Sequence, residues 1–214
     1  MDLGFESTMT MEAIRHIRRR GFVPGEDSLL EVIANPRNSM EVYWATIALR
    51  HFGTEKSIPA IKELTGYPKQ DVKITSVHLI GKIAGAAETQ FYCDLLASTT
   101  YKEKGSVMWV IADVADDTAV SAVIAYFEKN KAKIARKKLV NYACSNGAIY
   151  LLRVSSRQPK AKSYLETHIG LLLDNTSQVE LRGGSVLVDG RPINEWVEEL
   201  FALAGRQLPT WMTQ

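Results

Sequence analysis

Side chains able to do chemistry are present in this chain, but their spacing assembles no catalytic device. The four histidines, His16, His51, His78 and His168, are not joined by His-x-x-x-His or Glu-x-x-His spacing, so helical metal ligation has no ligand set. Cys93, Cys144 and the serines carry no local nucleophile signature. Gly183-Gly184 and Asp189-Gly190 sit outside any GxGxxG or Walker loop, which leaves phosphate cradling without support. The densest carboxylates are Asp113, Asp116 and Asp117, and the last two read as helix caps. Trp109 and Asp113 lie four apart and so share one helix face. The expectation is no catalytic residue, no metal and no cofactor.

The elements that hold these residues announce themselves by repetition. Ala45, Ala48, Leu49, Phe52 and Gly53 return as Ser76, Leu79, Ile80, Ile83 and Ala84, and again as Val107, Val110, Ile111, Val114 and Ala115, a shift of 31 each time. A fixed period of this size marks stacked helical units. Within each echo the spacing i, i+3, i+4, i+7 places the apolar residues on one stripe of an α-helix. A break follows at Gly53-Thr54-Glu55, at Gly85-Ala86-Ala87-Glu88 and at Asp116-Asp117, then a second helix around Ile58–Ile61, Phe91–Asp94 and Val120–Val123. Pro59 falls in the first turn of its helix, where a missing N–H costs little.

Weaker echoes flank the clear ones. Ile14, Ile17 and Gly21 with residues 28–34 form one. Leu139, Tyr142, Ala143 and Gly147, with 148–154 as the second helix, form another. The last third leaves the period: helix over 160–173, a two-residue hairpin of Gln178–Arg182 and Ser185–Val188, and a helix from Pro192 to Ala204 stopped by Gly205. The expected architecture is all-α: a right-handed α-solenoid of helical hairpins over 1–157, and a C-terminal cap (helix, β-hairpin, capping helix) over 158–214, packed as one continuous domain.

The run from Trp44 to Ile61 (WATIALRHFGTEKSIPAI) resembles the short HEAT repeat of phycobilin-lyase-related proteins: an Ala-rich helix, a Gly-plus-polar break, and an Ile-Pro-Ala second helix. The next two units keep the apolar spacing and lose the proline. The resemblance implies an α-solenoid that holds a partner, and through its subtype a bilin-lyase-like protein as one alternative. Trp109 and Asp113, with Arg136 one period on, resemble the Trp and Asp that HEAT-like alkylpurine DNA glycosylases place in a basic groove, which implies a second alternative.

Second helices usually line the inner wall of such arrays. Ile58, Ile61 and Leu64 face the core there, and Glu55, Pro59 and Glu63 lie opposite. Carried forward, the pattern adds Glu88 and Tyr92, then Asp117 and Ser121. This mildly acidic ladder suits a basic protein partner, with Tyr92 as its residue of anchor type. Two basic clusters, Arg15/Arg18/Arg19/Arg20 and Lys129/Lys131/Lys133/Arg136/Lys137/Lys138, read as solvated, the second as an inter-helix loop and first turn. A net charge of +2 is too small to argue for nucleic acid by itself.

Composition agrees with a folded, non-membrane chain: 46% hydrophobic and 23% charged over 214 residues, with no apolar run long enough to span a bilayer. The N-terminal stretch does not read as a secretory signal, and two widely spaced cysteines fit a reducing, cytoplasmic setting. By analogy with other helical-repeat scaffolds, the expected function is non-catalytic protein binding, such as a bacterial immunity or adaptor protein that neutralises a toxin or effector through its concave face.

Overall fold

The recurring apolar stripes become helices whose buried faces keep the period. The computed structural model describes residues 3–136, 142–174, 179–182, 185–188, 191–192 and 195–207. Among them are α1 (Leu3–Arg19), α2 (Glu26–Ala34), α3 (Ser39–Phe52), α4 (Ile58–Leu64), α5 (Gln70–Ala84), α6 (Thr89–Ala97), α7 (Lys104–Val114), α8 (Val120–Ala135), α9 (Ala143–Ser155), α10 (Pro159–Leu173) and α11 (Glu195–Leu203). The chain is therefore overwhelmingly helical. It divides into two compact units, Met1–Glu88 and Thr89–Gln214.

In the first unit α3 packs between α1 and α5, with α2 against α3 and α4 against α5. Its core is built from Ala13, Ile17, Leu29, Ala45, Leu49, Ile61, Leu79 and Ile80, all out of contact with water. In the second unit α7 packs on α9 and α6 on α7, while α8 meets α6 and α10, and α10 lies along α9. The helices α9 and α10, which flank residues 157 and 158, are thus in direct contact.

The period is physical. Positions 45/76/107, 48/79/110 and 49/80/111 are buried in every copy. Each of the three first helices is followed by a 3-10 turn, Glu55–Ser57, Gly85–Glu88 and Asp117–Ala119. Thr54 and Asp116 cap two of these turns, accepting the N–H of Lys56 (3.3 Å) and Thr118 (2.9 Å). Gly85 ends α5 at φ +55°, a left-handed backbone that only glycine adopts cheaply. The second helices then start at Ile58, Thr89 and Val120, again 31 apart. Where the period puts a hydroxyl in the core, it bonds back one turn: Thr46 to the Val42 carbonyl and Ser76 to that of Val72, both at 2.7 Å.

Three expectations need correction. Residues 143–155 form one helix, so 148–154 is not a separate second helix; Leu139 lies outside the described residues. Gly147 is no breaker there: a Cβ on it would come within 2.3 Å of Phe127 Cζ, so the missing side chain leaves room on α9 for the Phe127 ring of α8. Lys129, Lys131 and Lys133 are not in a loop; they occupy the last turns of α8, with Arg136 as its C-cap, while Lys137 and Lys138 lie outside the described residues. The last helix starts at Glu195 instead of Pro192, because Arg191–Pro192 is a short strand. That strand, β3, pairs antiparallel with β2 (Ser185–Val188), which pairs with β1 (Val179–Arg182) in the register Val179 opposite Val188.

Candidate functional site

The start of α4 is fixed from the neighbouring helix pair. Glu26, at the beginning of α2, accepts the backbone N–H of Thr54 at 2.8 Å and the Thr54 hydroxyl at 2.9 Å. The Ser57 hydroxyl donates to the same carboxylate. These bonds, that from Ser57 first, hold the Glu26 carboxyl below the usual range for glutamate. Beside it Asp27 pairs with Lys56. The 3-10 turn is thereby anchored on one side, and its other side presents Glu55 and leads into Pro59.

That side is a groove of about 430 Å³ lined by Glu55, Ile58, Pro59, Lys62, Ala84, Ala87 and Glu88. It lies wholly within the first unit. Ile58, Pro59, Ala84 and Ala87 make most of its lining apolar. Lys62 Nζ spans to Glu88 Oε2 at 2.6 Å, with the two side chains 34% and 20% exposed. Glu55 is exposed and has no cationic partner among the described residues. The groove is therefore mostly apolar, with one exposed acid, Glu55, and one internal ion pair in its lining. Its volume is in the range of ligand-binding clefts, but it brings together no acid–base pair or nucleophile with a base.

The structure sorts the expected binding ladder. Glu55, Pro59 and Glu88 share this groove, and Glu63 is exposed on α4 without lining it. Tyr92 is a correction: it is 0% exposed. The reason is register. Ile61, Tyr92 and Val123 are 31 apart and all fully buried, so Tyr92 corresponds to core Ile61 and not to Pro59. The longer-looking break at residues 85–88 is absorbed by its 3-10 turn and adds no residue to the period. The surface equivalents of Pro59 and Glu63 are then Gln90 and Asp94, which the sequence reading missed and which bond to each other at 2.8 Å.

Asp117 is engaged inside the second unit. Arg157 grips it with two parallel bonds, 2.8 and 3.1 Å, and these hold its carboxyl below the ordinary range. Ser121 is exposed and accepts a long bond from Lys160 at 3.3 Å. Trp109 is half-buried, its ring edge-on to Tyr142 with centroids 6.3 Å apart, and Asp113 is exposed. The histidines are scattered: His16 leans on Trp44, His51 on Phe52, and His168 stacks on Tyr164 at 4.2 Å. Both cysteines are buried thiols; burial, then Asp94 and Asp116, pushes Cys93 up to about 11. Among the described residues no cluster of three or more His, Cys, Asp or Glu is placed to hold a metal ion, and no helix is long and apolar enough to cross a membrane.

The chain matches no protein-family model, and no curated protein and no solved structure matches it.

Proposed function

We propose that this protein is a non-catalytic binding module, a HEAT-like array of helical hairpins that grips one protein partner through the α4 groove. The observation that carries the reading is the convergence of Glu55, Pro59 and Glu88 on one groove with a mostly apolar lining. The periodic burial at 45/76/107 and 61/92/123 supports the repeat architecture, and a right-handed solenoid is the expected hand. Charge supports the kind of partner: the unpaired Glu55 favours a lysine or arginine flanked by apolar residues.

The concrete form of the proposal is a cytoplasmic bacterial immunity or adaptor protein that masks a toxin or effector. The test is association with the products of adjacent genes, measured by titration calorimetry. A tight one-to-one complex is expected, weakened at least tenfold by Glu55→Lys combined with Ala87→Arg, both at exposed positions. Loss of affinity from substitutions elsewhere, with the groove variant unaffected, would contradict it.

A further inference from the structure

The loop between α1 and α2 is a shaped, apolar tip. Gly21 ends the α1 turn at φ +86°, its N–H donating to the Arg18 carbonyl at 2.9 Å while the Phe22 N–H reaches back to the Ile17 carbonyl at 3.3 Å. This pair of bonds fixes the direction in which the chain leaves the helix, and Pro24 stiffens the next step. Between them Val23 is 82% exposed, the most exposed large apolar side chain among the described residues. A Cβ on Gly21 or on Gly25 would meet nothing within 4 Å, so both ends of the tip stand in open space. Arg18 and Arg19, exposed at its base, have no acidic partner among the described residues, whereas Arg20 is paired with Glu41 at 3.0 Å. The acids that follow the tip, Glu26 and Asp27, are already engaged with the Thr54–Ser57 segment. The dipole of α1 accounts for arginines at this end; it does not account for a valine held out in water on a rigid turn.

The α4 groove is complementary to this tip: Ile58, Pro59, Ala84 and Ala87 suit an apolar side chain, and Glu55 suits a cation beside it. The two also border one turn. The tip runs into Glu26, which accepts the Thr54 N–H from one side, and Glu55 and Pro59 stand on the other. Neighbouring elements of this kind let two copies exchange tips about a two-fold axis, each giving and receiving. We propose that, until the partner arrives, the α4 groove holds the Val23 tip of a second copy of this chain, with that copy's Arg18 and Arg19 facing Glu55. The inference rests on the reading of the groove as a protein-docking site and adds its regulation: the partner must displace the second copy. A rigid tip loses little freedom on docking, but the contact is small, so the dimer is a weak one.

The test is sedimentation velocity of the full chain from about 1 to about 300 µM, a range that brackets weak association. A reversible monomer–dimer equilibrium is expected. Val23→Asp, and separately Glu55→Lys, should weaken it at least tenfold, with helix content unchanged by circular dichroism. A mixture of variants separates docking from misfolding. Glu55→Lys alone sets lysine against arginine, and Arg18→Glu/Arg19→Glu alone sets glutamate against glutamate, so each should dimerise poorly. Mixed one to one, every tip meets a groove of opposite charge, and association should return to within threefold of the parent. A monomer at every concentration, a dimer unmoved by Val23→Asp or by Glu55→Lys, or a mixture no stronger than either variant alone would overturn the proposal. The groove reading itself fails by a different result, a partner affinity that survives Glu55→Lys.

Discussion

Lys62 and Glu88 form an ion pair at 2.6 Å that joins α4 to the 3-10 turn Gly85–Glu88 within the lining of the groove. The pair neutralises one acid of the groove and leaves Glu55 as the charge that faces a visitor. A cation on the partner must therefore either pair with Glu55 or compete with Lys62.

This gives substitutions of opposite sign. Lys62→Met should raise affinity for a basic partner several-fold at low salt, since Glu88 is released, and Glu55→Lys should lower it. Both changes should alter stability by less than about 1 kcal/mol, as expected for partly exposed charges. Paired calorimetric titrations and thermal melts check both halves.

Gly147 is a packing residue. A Cβ there would lie 2.3 Å from Phe127 Cζ and 3.3 Å from Met108 Sδ. Gly147→Ala should cost about 1–3 kcal/mol through overpacking, despite alanine's better helix propensity. Adding Phe127→Leu should recover part of that loss, so a double-mutant cycle in urea should give a favourable coupling.

Tyr92 belongs to the core of the second unit. Tyr92→Ala should destabilise the protein by about 3–5 kcal/mol, the usual cost of deleting a buried aromatic ring. At temperatures where the variant remains folded, partner affinity should be unchanged. Urea denaturation and titration on one preparation separate the two effects.

Glu26 makes stability depend on acid. Its folded-state carboxyl titrates below the ordinary range because Ser57 and Thr54 donate to it. The resulting stability is present above the ordinary glutamate range and is lost as pH falls through the folded-state value. Glu26→Gln should lower the melting temperature at neutral pH by about 2–4 °C, a cost near 1 kcal/mol at a solvent-accessible position. The gap between parent and variant should close on acidification; a gap that widens would show the bonds to be idle.

The helical architecture was legible because burial repeats with the chain: 45, 76 and 107 are one kind of position, and no long-range information is needed to see it. Thr54 and Asp116 were legible as caps for the same local reason. The site was half legible. Glu55 and Pro59 could be placed because helical phase decides which side of α4 and its turn meets water, whereas Glu88 was carried forward with the same wrong offset as Tyr92: one period back from it is the buried Ser57. Tyr92 was misplaced because composition does not say whether a longer break adds a residue to the period or winds into a 3-10 turn. Asp117 was placed on the binding ladder because its partner, Arg157, is 40 residues away and outside the period.

The most direct measurement puts a photo-crosslinking amino acid at Pro59, and in a second variant at the exposed Glu31 on α2, with irradiation in the host cell and mass spectrometry of the adducts. The groove reading predicts one discrete protein adduct from position 59, absent from position 31 and lost when Glu55→Lys is added. The same adducts from both positions, or none from position 59, would contradict it.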